Sequence, residues 1–528
     1  MAMARVAHLA IIGCGFTGTS ALFQAVDRTP VKTITVFEAS GAFGPGYPYR
    51  DDDCPDYLLN NTTDTLCLVP ENRRAFITWL AAHPEIAQDV APKGHLPRRA
   101  YGAFLEDVVA AARTAAAIKG IEVVLVPEAV TGLTREADGG LVLTHGADRT
   151  TRADAAILTT GRAPLADRIP HPPAGAQARY IPDHIRNAAL DDIALDATVH
   201  VLGASLGAYD VVNRVFSEAS GCRFERAADG LRFVPGRNAR HVVLCSRTGR
   251  LKNMQSRFPR SLDRRFFTAD ALRAQTGTKG LTLETIASAI RAEAEAHGAT
   301  LDWEMLRDPY RGCDTPEALQ QRAMQLVDEA IARAADPAGR NFLVDLFATA
   351  QLDIWQLFGE RRLAPHAERR YREAYETATL TFAAPCPIST AEKLLALMRA
   401  GRIRLVKGSG DVSYDAADDA YIIAHDHGRE RARVLVNAMG ALDRDVTSPG
   451  QSPLIRDLVR QGLMRPYMLD GRPDKGADID MATLRLPAAH NIYVANMLLW
   501  GPGFFTSSAF LMATFVSRIL ATMFADET

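Results

Sequence analysis

Three glycines near the amino terminus have the spacing of a diphosphate-binding turn. Gly13, Gly15 and Gly18 form a G-x-G-x-x-G pattern directly after the apolar run Ala7–Ile12. In such a turn the first glycine closes the bend and the second lets a diphosphate approach the backbone. The third lets the next helix pack closely on the strand. Because a helix N-terminus also offers free N–H groups to a phosphate, we predict a dinucleotide here.

A carboxylate about 20 residues beyond the turn marks the ribose end of this predicted site. The apolar run Thr33–Phe37 ends at Glu38, where an acid accepts hydrogen bonds from ribose hydroxyls. An acid there repels a 2′-phosphate, which favours FAD or NAD over NADP. A second glycine cluster follows, and it suits a ligand as long as FAD. An unrelated glycine turn in an α/β domain is the alternative. Further cofactor contacts are expected from Phe16, Thr17, Ala39 and Gly46.

A second glycine-rich turn follows the apolar run Thr198–Leu202. Gly203 takes the first glycine position, Ser205 replaces the middle glycine, and Leu206 opens an apolar helical pattern. Serine is small, so the backbone still approaches a phosphate. We predict a second nucleotide at this turn.

An arginine replaces the acid at the second predicted site. The run His241–Cys245 leads to Arg247, whose guanidinium can donate two hydrogen bonds to a 2′-phosphate. The change from Glu38 to Arg247 predicts FAD at the first turn and NADPH at the second. A solvated loop charge is the alternative for Arg247. A flavin and a nicotinamide exchange hydride when a protein stacks their rings.

The elements that position these residues predict an α/β fold with two nested Rossmann-like dinucleotide-binding domains and a mostly helical insertion. Gly161 and Gly440 each end a short apolar strand, as a strand beside a diphosphate requires. We predict an FAD-binding domain in two parts, 1–195 and 396–528. The NADPH-binding domain would occupy 196–395, with the helical insertion at about 265–378.

A glycine-containing segment near the carboxyl end is also predicted to contact the flavin. Asn496 ends an apolar strand, and Phe505 and Thr506 lie at the start of the long apolar stretch from Phe504 to Phe524. A capped helix start there would offer free amides to the flavin. The polar residues within this stretch favour a buried helix over a membrane span.

Composition excludes several classes of function. The chain has 528 residues, a net charge of -2 and seven scattered cysteines without a CxxC pair. The charge gives no reason to expect nucleic acid or a membrane as partner. The cysteines predict no metal site, no dithiol redox centre and a reduced, cytoplasmic setting.

Several stretches together resemble a family of bacterial FAD/NAD(P)-binding proteins related to class B flavin-dependent monooxygenases. They are IIGCGFTG, VFEASGAFGPGYPY, YLLNN, LPRRAYGAFL, AAILTTGR, VLGASLGAYD and SPLIRDL. The resemblance implies a nested fold with bound FAD and with NADPH as reductant. It places Asn60 or Asn61 near the flavin ring. Arg98 or Arg99 would meet the FAD phosphate or NADPH, and of the two we select Arg99.

The family includes N-hydroxylating enzymes of natural-product pathways, some of which act on aspartate. We therefore expect a monooxygenase that forms a C4a-hydroperoxyflavin and N-hydroxylates a small amine or an aspartate-like amino acid. Arg250, Arg257 and Arg260 are available to bind the carboxylates of such a substrate. The sequence shows no catalytic dyad, which fits a reaction in which the flavin activates O2, and the catalytic side chains stay unidentified. The alternatives are a flavin-dependent NAD(P)H dehydrogenase or reductase and a non-catalytic nucleotide-binding protein.

Overall fold

The protein was analysed as a computed structural model. It describes residues 6–50, 56–86, 94–161, 163, 167–185, 188–228, 230–257, 261–337, 341–440, 443–504 and 508–525.

The strands in these residues are numbered in chain order. They are β1 (His8–Ile12), β2 (Thr33–Phe37), β3 (Glu122–Val126), β4 (Val130–Arg135), β5 (Leu141–His145), β6 (Arg149–Ala153), β7 (Ala155–Leu158), β8 (Arg179–Ile181), β9 (Thr198–Leu202), β10 (Arg223–Ala227), β11 (Gly230–Val234), β12 (His241–Ser246), β13 (Ile403–Lys407), β14 (Val412–Asp415), β15 (Ala420–His425), β16 (Gly428–Ala432), β17 (Val434–Asn437), β18 (Pro466–Leu469), β19 (Arg472–Ala477), β20 (Arg485–Leu486) and β21 (Ala489–Val494).

The α-helices are numbered in the same way. They are α1 (Phe16–Arg28), α2 (Ala75–Ala82), α3 (Arg98–Ile118), α4 (Leu206–Val215), α5 (Ala269–Ala274), α6 (Leu283–Ala296), α7 (Trp303–Arg307), α8 (Pro316–Ala335), α9 (Phe342–Thr349), α10 (Gln351–Gly359), α11 (Pro365–Arg370), α12 (Glu376–Ala383), α13 (Ile388–Arg399), α14 (Pro453–Arg460) and α15 (Ala509–Met523). Single 3-10 turns lie at Thr63–Thr65, Ala188–Leu190, Glu218–Ser220 and Met497–Trp500, and a π-helical turn at Tyr371–Tyr375 joins α11 to α12.

The first sheet places the first glycine turn at its carboxyl edge. Its strand order is β20-β21-β7-β1-β2-β3, and β1 pairs in parallel with both β2 and β7. Ile12 at the end of β1 is opposite Phe37 and Leu158, so three strands end together where the turn begins. The residues Leu9–Ile12 are almost fully buried, as expected for a parallel strand covered on both faces.

The second sheet repeats this arrangement with the order β13-β12-β9-β17-β8, all of its pairs being parallel. Leu202 at the end of β9 is opposite Cys245 and Asn437. A three-stranded antiparallel sheet precedes the closing strand in both units, β4-β5-β6 before β7 and β14-β15-β16 before β17. The prediction of two nested Rossmann-like domains is confirmed.

The sheets correct the predicted domain boundaries. The second sheet takes β8 from before residue 196, and β13 and β17 from after residue 395. The physical reason is that β9 needs a parallel neighbour on each side, and β17 pairs with β9 as β7 pairs with β1. The second unit therefore runs from Arg179 to Asn437, and the first sheet resumes only at β20 and β21.

The described part of the insertion is helical from α5 to α12, as predicted. One face of α8 is buried at Leu319, Ala323, Val327 and Ala330, and it packs on the core of the second domain.

The apolar carboxyl-terminal stretch forms α15, which is buried against the first domain. Leu511, Phe515 and Ile519 have no exposed surface. Across the described residues, no helix combines the length and hydropathy that crossing a bilayer requires.

Candidate active site

The first turn is built from backbone contacts that exclude side chains. A Cβ atom on Gly18 would lie 1.9 Å from the carbonyl oxygen of Gly13. Gly13 itself has φ +102°, and a Cβ there would lie 2.5 Å from the carbonyl oxygen of Thr159. Gly15 precedes α1, and no side chain caps this helix. No capping side chain therefore competes with a diphosphate for the amides at the start of α1.

Glu38 lies beside this turn at the end of β2. Its Oε2 accepts a hydrogen bond from the Cys14 backbone N–H at 2.9 Å, and its Oε1 accepts one from the Ser40 N–H at 3.0 Å. Both bonds orient the carboxylate on the wall of the cavity described below. Burial raises the pKa of the adjacent Cys14 thiol to about 12, so this cysteine is not a thiolate nucleophile.

The second turn has the same construction. Gly203 has φ +117°, and a Cβ there would lie 2.9 Å from the carbonyl oxygen of Ala438. Gly207 approaches the same oxygen to 2.9 Å by the same measure. Ser205 is exposed immediately before Leu206, the first residue of α4, and it makes no capping hydrogen bond to the helix. The first amides of α4 are therefore available to a ligand, as at α1.

The first turn borders a crevice between the domains, which we call the interdomain cavity, whereas Gly203, Ser205 and Leu206 of the second turn do not line it. Its volume is about 590 Å³. Residues from the first domain and from the end of the second sheet line it together. Of the predicted cofactor contacts, the wall contains Gly13, Gly15, Glu38, Ala39, Gly46, Gly161 and Gly440.

Three other predicted contacts of the first domain lie near the carboxyl edge of its sheet: Phe16, Thr17 and Asn496. Phe16 and Thr17 form the first turn of α1. Asn496 is buried, and its Nδ2 donates to Thr160 Oγ1 at 3.1 Å, next to Gly161. The backbone oxygen of Asn60 accepts a hydrogen bond from Gln255 Nε2 at 3.1 Å, and Asn61 follows on the same loop. Phe505 and Thr506 lie outside the described residues.

The predicted arginines are spread over a wider area. Arg247 is exposed, directly after β12. Arg250 lines a second cavity, between the second domain and the insertion. Arg257 is exposed, and its backbone N–H donates to the Ala334 carbonyl at 2.8 Å. Arg260 lies outside the described residues. Nothing described brings the three proposed substrate arginines together.

Adjacent arginines at the start of α3 have different environments. Arg99, the predicted contact, is exposed, whereas Arg98 is buried. Arg98 Nη1 and Nη2 bind Asp210 Oδ2 and Oδ1 at 2.9 and 3.0 Å, and both side chains are 9% exposed. Asp210 lies in α4, and its charge raises the pKa of Arg98 against the effect of burial. This pair therefore fixes the helix of the second nucleotide turn to the first domain.

The sequence prediction missed the loop that follows β8. Asp183 and His184 line the interdomain cavity, and Tyr47 of the first domain donates its hydroxyl to Asp183. The buried His184 ring lies 3.0 Å from the position that a Gly207 Cβ would take, so it covers the second turn. Tyr57 Oη donates to the His184 carbonyl at 3.0 Å. In the sequence, this loop could have been located only from β8, the strand before it, but β8 has three residues and shows no periodicity.

Comparison with known proteins agrees with this geometry. A family model described as FAD-NAD(P)-binding matches residues 10–163. No curated protein sequence matches the chain.

Two solved structures have the same fold along nearly the whole chain. Ornithine N-hydroxylase from Kutzneria sp. 744, solved with reduced FAD, NADP+ and L-ornithine, has a TM-score of 0.53 and 13% identity, covering 99% of this chain and 100% of its own. The FAD-bound cadaverine monooxygenase of the desferrioxamine pathway of Erwinia amylovora has a TM-score of 0.56 and 10% identity, covering 99% of this chain and 95% of its own. The chain therefore has the fold of these two enzymes, and its residues 10–163 match the FAD-NAD(P)-binding family model.

Proposed function

We propose that the protein is an FAD- and NADPH-dependent monooxygenase that N-hydroxylates a small amine or an aspartate-like amino acid in natural-product biosynthesis. One observation carries the proposal. The first glycine turn and the end of β17, the strand that pairs with β9 next to the second turn, line one cavity of about 590 Å³. A nucleotide at each turn would extend towards the same crevice.

The residues present fit these cofactors. The first turn would hold the FAD diphosphate, and Glu38 would accept hydrogen bonds from a ribose hydroxyl. Ser205 and the amides of α4 would hold the NADPH diphosphate. When bound, the flavin would supply hydride acceptance and O2 activation. The protein's own part is to position both nucleotides and to exclude water from the crevice.

In this proposal, arginine side chains bind both the 2′-phosphate of NADPH and the carboxylates of an acidic substrate. Arg247 follows the strand beside the second turn, where a guanidinium reaches a 2′-phosphate. Arg250, Arg257 and Arg260 remain the proposed contacts of substrate carboxylates, because bidentate arginine pairs bind carboxylates strongly.

The first test is the visible spectrum of the purified protein under anaerobic conditions. We expect a flavin band that is bleached by NADPH more readily than by NADH and restored by air. Oxygenated product should then form in step with NADPH and O2 consumption when amines or acidic amino acids are added. Bleaching without any oxygenated product would favour the dehydrogenase alternative, and absence of flavin even after added FAD would refute the proposal.

A matched pair of variants tests the choice of nicotinamide cofactor. Arg247→Gln should weaken NADPH use by about tenfold and leave NADH use unchanged, because it removes a charge-assisted hydrogen bond. Arg237→Gln is the control, since Arg237 is also exposed but precedes β12 at the opposite edge of the sheet. Equal NADPH kinetics in the two variants would exclude Arg247 as the 2′-phosphate contact.

A further inference from the structure

A second cavity lies between the second nucleotide-binding domain and the helical insertion. Its volume is about 440 Å³, and we call it the insertion cavity. The loop after β12 forms one wall, and α7, α8 and the ends of α9 and α12 form the others. Among the described residues, four cationic ones line it: Arg250, Lys252, Arg322 and Arg333.

The loop that bears two of these cations is fixed by hydrogen bonds on both sides. Tyr310 Oη donates to the Gly249 carbonyl at 2.7 Å, and Gly249 has φ +67°. The Lys252 backbone N–H donates to Tyr209 Oη at 2.9 Å. The insertion and α4 therefore hold this loop between them, and the cavity wall is preorganised.

Three of these four cationic side chains donate hydrogen bonds to neutral acceptors. Arg250 Nη2 donates to the Leu306 carbonyl at 2.8 Å and also to that of Arg307. Lys252 Nζ donates to the Leu380 carbonyl at 2.6 Å. Arg322 Nε donates to the Pro309 carbonyl at 3.4 Å, and its Nη2 contacts Met305 Sδ at 3.3 Å. Carbonyls satisfy donors but do not neutralise charge.

The carboxylates near the cavity compensate these charges only in part. Asp302 accepts the Met305 N–H as the cap of α7, and Glu329 is 3.8 Å from Arg322 and 46% exposed. Asp308 raises the pKa of Arg250, but burial lowers it more. Burial likewise lowers the pKa of Lys252 to about 8. The wall thus holds partly buried positive charge, which an anion would stabilise.

We propose that the insertion cavity binds a small dianion, either a phosphate monoester or a dicarboxylate. Two sources have this chemistry: the 2′-phosphate end of a dinucleotide that starts at the second turn, and the carboxylates of an acidic amino acid. The binding itself requires no flavin chemistry, whereas the choice between these two sources rests on the proposed function. Arg322 and Arg333 come from the insertion, so the insertion takes part in ligand recognition.

Calorimetric titration of the full-length protein as purified, at low ionic strength, tests the proposal with inorganic phosphate, L-aspartate and 2′-AMP. We expect L-aspartate or 2′-AMP to bind with a stoichiometry of one and phosphate to compete with it. Arg250→Gln and Arg322→Gln should weaken binding by about tenfold or more. The control Arg311→Gln removes an equal charge that is 67% exposed and outside the cavity wall, and it should leave binding unchanged.

The identity of the bound probe assigns the source: L-aspartate indicates the substrate and 2′-AMP indicates the cofactor. No binding of any probe at about 10 mM, where even a weak site is populated, overturns the proposal. Binding that depends on Arg247 but not on Arg322 also overturns it. If the Arg250 and Arg322 variants fail to fold, the exposed Arg333→Gln substitution takes their place, and unchanged affinity there counts against the site. Flavin bleaching by NADPH is measured separately, so this proposal and the proposed function fail independently.

Discussion

At the scale of single residues, both nucleotide turns depend on the absence of side chains. Gly13 and Gly203 have positive φ, and an added Cβ on either would meet the carbonyl oxygen of the neighbouring strand end. The charged residues Glu38 and Arg247 lie at equivalent strand ends, beside these turns. The two turns therefore have a similar backbone conformation, and they differ in the charge of the residue that follows the neighbouring strand.

Gly18→Ala should abolish flavin binding. The new Cβ would lie 1.9 Å from the Gly13 carbonyl oxygen and 2.9 Å from the carbonyl carbon, so backbone would have to move to admit it. Overpacking of this kind costs about 1–3 kcal/mol, or more where backbone must shift. The measurement is the ratio of flavin to protein absorbance after purification. Gly410→Ala is the control, because nothing lies within 4 Å of the Cβ added there; full flavin content in the Gly18 variant would refute this account of the turn.

At the scale of elements, the ion pair between α3 and α4 joins the two domains. Arg98 Nε also donates to the Leu58 carbonyl at 3.0 Å, so the guanidinium is held by both domains. The helix that starts at the second turn is therefore oriented by a residue of the first domain. We infer that this pair positions the nicotinamide nucleotide relative to the flavin.

Arg98→Ala should destabilise the protein by about 3–5 kcal/mol, because it leaves Asp210 buried without its partner. Arg99→Ala should change the free energy of unfolding by less than about 0.5 kcal/mol, since Arg99 is exposed. Urea unfolding measures both. The milder variant Asp210→Asn tests whether the pair also positions the nucleotides. If it does, the variant should have a lower limiting rate of flavin reduction by NADPH and an unchanged flavin content. An unchanged rate would limit the pair to a structural role.

Arg98 of this pair shows what can be predicted from the sequence and what cannot. The glycine spacing and the strand-end charges follow local rules, so both turns were predictable. Arg98 and Arg99 are adjacent, and on a helix they point about 100° apart. Only the tertiary contacts decide which of them is buried. Likewise β8 is too short to show a pattern, so neither its place beside β17 nor the His184 loop was predictable.

At the scale of the whole molecule, α15 joins the first domain to the insertion. Phe515 has no exposed surface, and its ring lies 4.7 Å from that of Trp355 in α10. On its other side α15 packs on α1, where Gln24 Nε2 donates to the Ala513 carbonyl at 3.3 Å and Ser517 Oγ to Gln24 Oε1 at 2.6 Å. The insertion is therefore packed against the first domain as well as the second domain.

Phe515→Ala should destabilise the protein by about 3–5 kcal/mol, the usual cost of truncating a buried phenylalanine. Because Phe515 lies between the first domain and the insertion, flavin release and the change in tryptophan fluorescence should occur at the same denaturant concentration. Ile118→Ala is the control, since Ile118 is 83% exposed, and it should change stability by less than about 0.5 kcal/mol. Separate transitions in the Phe515 variant would show that the insertion unfolds independently.

The contact between α1 and α15 also has a consequence for biosynthesis. Gln24 and Ala513 are 489 residues apart, and the second sheet lies entirely between them in the chain. A ribosome therefore releases every strand of the second sheet before α15 can reach α1. The first glycine turn is translated almost at once, yet the helix that closes its domain emerges hundreds of residues later. The nascent chain must keep the exposed face of α1 from aggregating during that interval, and we expect FAD to be acquired only after translation has passed α15.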